Sequence, residues 1–514
     1  MTPPRPLLAT YRLQLNRGFT LRHAARIVPY LHQLGVSHIY SSPITTARPG
    51  STHGYDVVDP RALNPELGTE GDLRALARAL HERGMGLVVD IVPNHMGTGS
   101  ENPYWDDVLA LGQASRFAPW FDIDWYPPER SLAGRILLPV LGRSRDAAIA
   151  REEITLARAD GALRVRYFDH SFPLDPSTVP ESLRRAADEG SDAVARYTMG
   201  RDGHRRLRAL LDRQHYVLAN WRRAARDINY RRFFNINELV ALRVEDEAVF
   251  RATHERILLW VADGTLDGLR VDHIDGLLDP RTYLERLRSA VATARGRSAG
   301  GGSGGIDNAG IDTGGGDDAG IDTGGGDQDG DAFPIVVEKI LCEGEQLRAD
   351  WPVQGTTGYE FLNELESVFI DAGGKERIEA RYRAMLHLGR AVDFEEVAYR
   401  GKVHVLRASL APDVDRVHRL LQPIAQRDPR ARDLPASVVR DAIVELIACF
   451  PVYRTYIDAR TEVVHPEDQR EIDIALERAR ERGVVPRAVL DLLEDVLLLR
   501  LDQRGQSRLI AGDQ

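Results

Sequence analysis

The sequence is poor in lysine, in cysteine and in long apolar segments. Only three of its 67 basic residues are lysines, at positions 339, 375 and 402, so arginine carries nearly all of the positive charge. Its two cysteines, Cys342 and Cys449, are too few for a disulfide framework in a chain of 514 residues, which is typical of a reducing compartment. The N-terminus has no apolar signal-peptide core, and no apolar run is long enough to span a bilayer. These absences predict a cytoplasmic protein with no membrane partner.

The charge balance is acidic. A formal net charge of −10 disfavours nucleic acid and anionic membranes as partners. The hydrophobic content of 43% is ordinary for a globular protein with a sizeable core. A chain of this length has room for several domains or for one large barrel with insertions.

The first hundred residues alternate β-branched runs with amphipathic stretches. The predicted strands cover residues 7–15, 36–41 and 86–92, and the predicted helices cover residues 20–34 and 68–84. Strands and helices that alternate at this spacing predict an α/β fold with a parallel sheet or barrel.

The alternation stops after residue 99 and returns after residue 236. The segment between is rich in aromatic residues and too long for a barrel loop, so we interpret it as an insertion domain. The alternation then resumes with a helix at 237–263, a strand at 268–272, a helix at 280–295 and a strand at 334–338. The predicted organisation is a first barrel part (1–99), the insertion domain (100–236), a second barrel part (237–373) and a helical region (374–514).

Residues 298–331 are of low complexity, and the sequence AGIDTGGGD occurs in them twice. A Gly/Asp repeat of this kind can form calcium-binding turns in β-helices, but only in a longer array with a strand residue in each turn. We therefore interpret this segment as a flexible acidic linker.

Two predicted strands end in a carboxylate. GLRVDH ends in Asp272 and His273, and FPIVVEK carries Glu338 after two valines. A carboxylate at the end of a buried strand is costly to desolvate unless it is paired or takes part in chemistry. Cleavage of a glycosidic bond with retention needs two such groups, a nucleophile and an acid/base. The alternative interpretations are a salt bridge that ends the first strand and a solvent-facing glutamate at the end of the second.

Residues next to these carboxylates refine the hypothesis. Because side chains alternate along a strand, Arg270 shares a face with Asp272 and can hold it ionised. Burial of Glu338 favours the protonated form that a general acid requires. Lys339 should point to the opposite face, so we give it no role in proton transfer.

Two loops carry further polar candidates. DIVPNH places Asp90, Asn94 and His95 at the end of the third strand, where they could bind sugar hydroxyls. HGYDVVD offers His53, Tyr55, Asp56 and Asp59 after the second strand, and Tyr55 could stack on a sugar ring. A turn built on Pro93 and Asn94, and an ordinary Gly-Tyr loop, are the alternatives.

The order of these motifs resembles the α-amylase superfamily of glycoside hydrolases, which have (β/α)8 TIM-type barrels and retaining chemistry. Further blocks narrow the resemblance to the maltooligosyl trehalose synthase family. They are TYRLQL, SSPI, GSTHGYDVVDP, QHYVLANWR, INYRRFF, DGLRVDHIDGL, VVEKIL, GTTGYEFLN and FPVYRTYI. The blocks extend from Thr10 to Ile457, nearly the whole chain.

The resemblance implies an isomerase, a (1→4)-α-D-glucan 1-α-D-glucosylmutase. Such an enzyme converts the reducing-end α-1,4 linkage of a maltooligosaccharide to α,α-1,1 by intramolecular transglucosylation. The resemblance makes Asp272 the nucleophile and Glu338 the acid/base, and it places Tyr55, Asp56, Asp90, Asn94, His95, Arg270 and His273 around the substrate. It implies no cofactor or metal, and a functional pairing with a maltooligosyltrehalose trehalohydrolase. The aromatic-rich insertion would serve as a lid.

The sequence also departs from the family. We find no counterpart of the superfamily's third acid, an Asp near the seventh strand, and HPED at 465–468 does not fit it. Seventh and eighth strands are not recognisable either. We therefore expect a chain that lacks the C-terminal part of the barrel and is impaired in catalysis. The alternatives are an α-glucan hydrolase or transglycosylase of the same superfamily, or a fragment that only binds α-glucans.

Overall fold

The computed structural model describes residues 6–159, 161–300, 333–458 and 460–501. The predicted linker at 298–331 lies outside these residues, except for its first three positions. Those three belong to a long helix, so that end of the predicted linker is wrong.

The secondary structure alternates in both halves of the chain. The strands are β1 (Thr10–Leu13), β2 (His38–Ser41), β3 (Thr45–Ala47), β4 (Val57–Leu63), β5 (Gly86–Ile91), β6 (His95–Gly97), β7 (Ile136–Leu141), β8 (Ile154–Ala159), β9 (Ala162–Tyr167), β10 (His170–Pro173), β11 (Tyr216–Asn220), β12 (Arg232–Phe233), β13 (Ile236–Ala241), β14 (Gly268–Val271), β15 (Ile335–Val337) and β16 (Gly355–Thr356). The helices are α1 (Leu21–Gln33), α2 (Glu70–His81), α3 (Pro103–Leu111), α4 (Arg145–Ala150), α5 (Glu181–Glu189), α6 (Ser191–Thr198), α7 (Gly200–Leu211), α8 (Ala224–Asp227), α9 (Glu247–Ala262), α10 (Pro280–Gly300), α11 (Tyr359–Ser367), α12 (Gly374–Met385), α13 (Phe394–Arg407), α14 (Ala411–Ala425), α15 (Ala436–Cys449), α16 (Pro466–Arg482) and α17 (Arg487–Leu497).

A parallel sheet of six strands organises the fold, in the order β1-β2-β5-β14-β15-β16. Every neighbouring pair in it is parallel. The strands lie side by side in chain order, and helices α1, α2, α9 and α10 connect successive strands up to β15. This is the winding of a (β/α) barrel, in contrast to a doubly wound sheet, in which the strand order reverses. The predicted α/β class with a parallel sheet is confirmed.

Local sequence explains the helices between these strands. Helix α2 begins after Thr69, whose hydroxyl accepts from the Asp72 N–H at 3.2 Å while the Asp72 carboxylate accepts from the Thr69 N–H at 2.9 Å. This reciprocal capping satisfies two N–H groups that have no partner within the helix. The predicted apolar face of α2 is buried, and it comprises Leu73, Leu76, Ala77 and Leu80.

The predicted helix at 237–263 is wrong in its first part. Residues Ile236–Ala241 form β13, which pairs antiparallel with β6. The helix that follows, α9, begins at Glu247, and the Asp246 carboxylate caps it. Strand pairing with the distant His95–Gly97 segment therefore overrides a local pattern that also fits a helix.

Buried apolar residues form three clusters. The first lies between the parallel sheet and its helices, from Leu13 to Trp351. The second is built from residues between Met96 and Leu242, and the third from residues between Leu406 and Leu498. The domain boundaries remain predictions, although the second and third clusters coincide largely with the predicted insertion and helical regions. None of the helices in the described ranges is long and apolar enough to cross a membrane.

Candidate active site

Asp272 and Glu338 follow the C-terminal ends of two adjacent parallel strands. Strands β14 and β15 pair with Val271 opposite Val337, so the two acidic residues come next on both strands. The Glu338 N–H donates to the Val271 carbonyl at 2.8 Å, which extends the pairing to these positions. In barrels of this kind the C-terminal strand ends carry the active site.

Arg270 joins Asp272 to a second carboxylate, Asp90. Its Nη1 lies 2.7 Å from Asp272 Oδ1 and 2.7 Å from Asp90 Oδ2. Asp90 faces Arg270 across the pair of strands β5 and β14. All three side chains are buried, with exposed fractions of 6%, 11% and 0% for Arg270, Asp272 and Asp90. The predicted contact between Arg270 and Asp272 is confirmed.

One guanidinium group lies between two buried carboxylates at this site. Burial, together with the negative charge of Asp90, raises the pKa of Asp272 to about 7, against the opposing effect of Arg270. Burial likewise raises the pKa of Asp90. Arg270 lowers the pKa of Asp272, as the sequence predicts, but burial and the charge of Asp90 outweigh this effect.

Hydroxyl groups complete the surroundings of Asp90. Tyr55 Oη donates to Asp90 Oδ2 at 2.6 Å and Tyr40 Oη donates to the same atom at 3.1 Å. Arg12 Nη2 in turn donates to Tyr55 Oη at 3.0 Å. The phenol group of Tyr55 is thus engaged with Asp90. Stacking of its ring on a sugar stays a prediction. Sequence analysis missed Tyr40, although its place in β2 beside the strand that carries Asp90 gave a signal.

Glu338 is only partly buried, in contrast to the expected burial of the acid. Its Oε2 accepts a hydrogen bond of 3.0 Å from the backbone N–H of His273. His273 has left-handed backbone angles, with φ of 48°, at the start of the short turn Ile274–Gly276. The residue after Asp272 therefore also orients the second carboxylate.

Two uncharged imidazoles face the same space. Burial, aided by the neighbouring His273, lowers the pKa of His95 to about 3, and burial lowers the pKa of His273 to about 4. The ring of Phe233 lies 4.5 Å from that of His95 and 4.9 Å from that of His273, and Phe234 lies 5.2 Å from His273. No residue in the described part of the chain bonds to the buried His95 Nε2. A buried, unpartnered polar atom is suited to a hydroxyl group of a ligand.

Arg231 lies in the middle segment, residues 100–236, and it contacts the loops after β5 and after β14. Its Nη1 donates to Asn94 Oδ1 at 3.2 Å and to the Gly276 carbonyl at 2.7 Å, and its Nε pairs with Asp122 at 2.9 Å. Asn94 is buried and thereby fixed beside His95. The INYRRFF block carries Arg231, Phe233 and Phe234. The sequence alone predicts no role for them, because nothing local indicates that this segment returns to the strand ends.

The other candidates of the HGYDVVD loop have structural contacts. Asp56 Oδ1 accepts from Ser51 Oγ at 2.5 Å, within its own loop. Asp59 accepts from Tyr104 Oη at 2.8 Å. His53 is largely exposed and lies near Asp56. These contacts favour the alternative interpretation, an ordinary loop, for the three residues.

A metal site is not formed by the described ranges, 6–159, 161–300, 333–458 and 460–501, where no group of three or more His, Cys, Asp or Glu side chains could hold an ion. The site instead presents two adjacent carboxylates, a shared guanidinium group, two neutral imidazoles and an aromatic wall. A carboxylate pair on neighbouring strand ends can attack an acetal carbon and transfer a proton to the leaving oxygen.

Comparison with known proteins agrees with this geometry. Residues 21–134 match the model of the alpha amylase catalytic domain. A putative maltooligosyl trehalose synthase of Mycobacterium tuberculosis is 37% identical over 443 residues, which cover 84% of this chain and 47% of the relative. The structure of maltooligosyltrehalose synthase from Arthrobacter ramosus superposes with a TM-score of 0.74 at 35% identity, over 97% of this chain and 54% of the other. A hypothetical maltooligosyl trehalose synthase of Sulfolobus tokodaii gives a TM-score of 0.66 at 28% identity, over 96% and 54% of the two chains.

The matches cover nearly all of this chain, whereas the chain spans about half the length of these relatives. Over that half of their length, its sequence and fold are similar to those of the maltooligosyl trehalose synthases.

Proposed function

We propose that the chain takes part in converting the reducing-end α-1,4 linkage of maltooligosaccharides to α,α-1,1. It does so either by itself or as the half of a larger protein that carries the catalytic carboxylates. The observation that carries the proposal is the adjacency of Asp272 and Glu338 on strands β14 and β15. Its kinship with the maltooligosyl trehalose synthases favours this isomerisation over hydrolysis by the same carboxylates.

In the proposed reaction Glu338 protonates the oxygen of the last glycosidic bond while Asp272 attacks the anomeric carbon, which gives a glycosyl ester of Asp272 and free glucose. Glu338, now a carboxylate, removes the proton from the anomeric hydroxyl of that glucose. The hydroxyl oxygen attacks the glycosyl carbon, the ester bond breaks and Asp272 is regenerated. No atom is added or lost, as an isomerisation requires.

The remaining site residues hold the substrate in this proposal. Asp90, Arg270, Asn94, His95 and His273 bind sugar hydroxyls, and Tyr55 acts through its bond to Asp90. The released glucose must turn without escaping, and water must not reach the glycosyl ester. Phe233 and Phe234, which pack against the two imidazoles, support a water-excluding role for the middle segment. The contacts of Asp56 support a role in shaping its loop.

The finer architecture belongs to the same proposal. We infer that the six parallel strands are part of a (β/α)8 barrel and that residues 100–236 form an insertion after its third strand. Chain-ordered parallel strands and a separate apolar cluster support this. A cytoplasmic location and a functional pairing with a maltooligosyltrehalose trehalohydrolase, which would hydrolyse the product, complete the proposal.

The test is turnover of maltopentaose, measured as loss of reducing ends and as release of glucose. The chain is assayed alone and with a polypeptide that covers the remaining half of the Arthrobacter ramosus relative. We expect reducing ends to be lost without a matching release of glucose. Asp272→Asn should abolish this loss. Glucose release alone would assign the hydrolase alternative. Glucan binding without turnover in both assays would assign the binding fragment.

A further inference from the structure

Lys339 follows Glu338 directly, and its side chain is fully buried. Its Nζ lies 2.6 Å from Glu345 Oε1 and 3.2 Å from Asp275 Oδ2. Both of these partners are carboxylates outside the pair Asp272 and Glu338. Burying an ammonium group is costly unless its geometry with opposite charges is good. Lys339 is one of only three lysines in the chain, and its burial depends on the two carboxylates beside it.

The ion pair between Lys339 and Asp275 links the two catalytic strand ends. Asp275 lies in the turn that begins immediately after Asp272. The same turn supplies the His273 N–H to Glu338 Oε2. One backbone hydrogen bond and one ion pair thus join the same two segments. The hydrogen bond holds the Glu338 carboxylate itself, and the ion pair anchors the next residue along the chain to the same turn.

The partners of Asp275 come from the helical region. Tyr456 Oη donates a short hydrogen bond to Asp275 Oδ1, and the tyrosine ring lies 5.4 Å from Lys339 Nζ. Arg454 Nη1 donates to the carbonyl oxygens of Asp275 and Leu277, at 3.1 and 2.6 Å. Side chains from beyond α15 thereby fix the turn that Lys339 pairs with.

We propose that Lys339 is a positioning residue for the reaction: its ion pair with Asp275 holds the Glu338 carboxyl group in the orientation that protonates the leaving oxygen. This inference rests on the proposed function for its kinetic consequence, but its geometric consequence stands by itself. Lys339 touches neither substrate nor reacting atoms, and it acts through the segment that carries Glu338.

Two variants test the proposal, Lys339→Met and Asp275→Asn. The first removes the ammonium group and keeps the apolar stem. The second removes the charge that ties the turn to Lys339 while Lys339 keeps Glu345, so one variant remains if the other fails to fold. Lys375→Met is the matched control, because Lys375 is exposed.

The kinetic readout compares maltopentaose with α-maltosyl fluoride, whose leaving fluoride hardly needs a general acid. We expect kcat on maltopentaose to fall by roughly 30-fold or more in either variant, while the first-turnover release of fluoride, which forms the glycosyl ester without a general acid, changes less than about threefold. The Lys375→Met control should show no such difference between the two substrates. Equal losses on both substrates, or no loss on either, would overturn the proposal.

The geometric readout is hydrogen exchange of the His273 amide in the whole chain. Release of Glu338 should speed its exchange by about tenfold or more in both variants and leave the control unchanged. An unchanged exchange rate rejects the positioning role. If the unaltered protein turns over neither substrate, both alone and with the polypeptide that covers the remaining half, the proposed function fails. The exchange rate still decides the inference about Lys339.

Discussion

The backbone N–H of His273 donates a hydrogen bond of 3.0 Å to Glu338 Oε2. The donor belongs to a non-glycine residue in the left-handed region, with φ of 48° and ψ of 51°. This conformation costs an L-amino acid roughly 1–2 kcal/mol, because Cβ crowds the following carbonyl oxygen. Conformational strain at His273 thus places an N–H where a catalytic carboxylate needs it.

The strain at His273 makes the stabilities of two truncations differ. His273→Gly and His273→Ala both lose the contacts of the imidazole with Phe233. Only the glycine variant relieves the left-handed strain, so we expect its free energy of unfolding to exceed that of the alanine variant by about 1 kcal/mol. Urea unfolding of both variants measures the difference. Equal stabilities would mean that the turn relaxes to another conformation when the imidazole is removed.

The raised pKa of Asp272 has a consequence for stability. Its folded-state pKa of about 7 lies above the ordinary value of 3.8, so the folded protein binds this proton more tightly than the unfolded chain does. Folding stability due to this group therefore falls as pH rises from about 4 to about 7, and the penalty is complete above that. In Asp272→Asn the side-chain amide at this position cannot ionise. We expect this variant to be more stable than the unaltered protein at pH 8 and to lose most of this advantage at pH 5, as measured by urea unfolding at both pH values.

The charge of Asp90 sets part of that pKa. Asp90→Asn removes a negative charge that raises the pKa of Asp272 while Arg270 remains, so the pKa of Asp272 should fall below about 7. The pH profile of kcat/KM reports the ionisable groups of the free enzyme. Its acidic limb should move to lower pH even though the overall rate drops. Asp263→Asn, at the end of α9 and remote from the site, is the control. An acidic limb that stays in place would show that another group controls it.

The parallel sheet and its first helices could be predicted from sequence because their signals are local. Alternating apolar positions, the cap at Thr69 and the apolar runs before Asp272 and Glu338 depend on neighbours within one element. Because Arg270 and Asp272 are two positions apart on one strand, their contact also followed from alternation.

The rest of the site depends on contacts between distant segments. Asp90 faces Arg270 only because β5 and β14 are neighbours, and after burial the charge of this second carboxylate is the next largest cause of the raised pKa of Asp272. Phe233 reaches His95 because β12 and β13 pair back onto β6. The same long-range pairing turned the start of the predicted helix at 237–263 into a strand. The periodicity of apolar residues within a short stretch of sequence does not show which distant strands pair.

The aromatic wall gives a last prediction, on the choice between isomerisation and hydrolysis. The ring of Phe233 covers His95 and His273 at 4.5 and 4.9 Å, where the released glucose would turn. Phe233→Ala opens this side to water, so we expect the ratio of glucose release to loss of reducing ends from maltopentaose to rise by about fivefold or more, the size of one aromatic contact. Phe168→Ala removes an exposed phenylalanine of the same middle segment and should leave the ratio unchanged. A raised ratio in both variants would point to general loosening of the segment. An unchanged ratio in both would mean that water is excluded by residues other than Phe233.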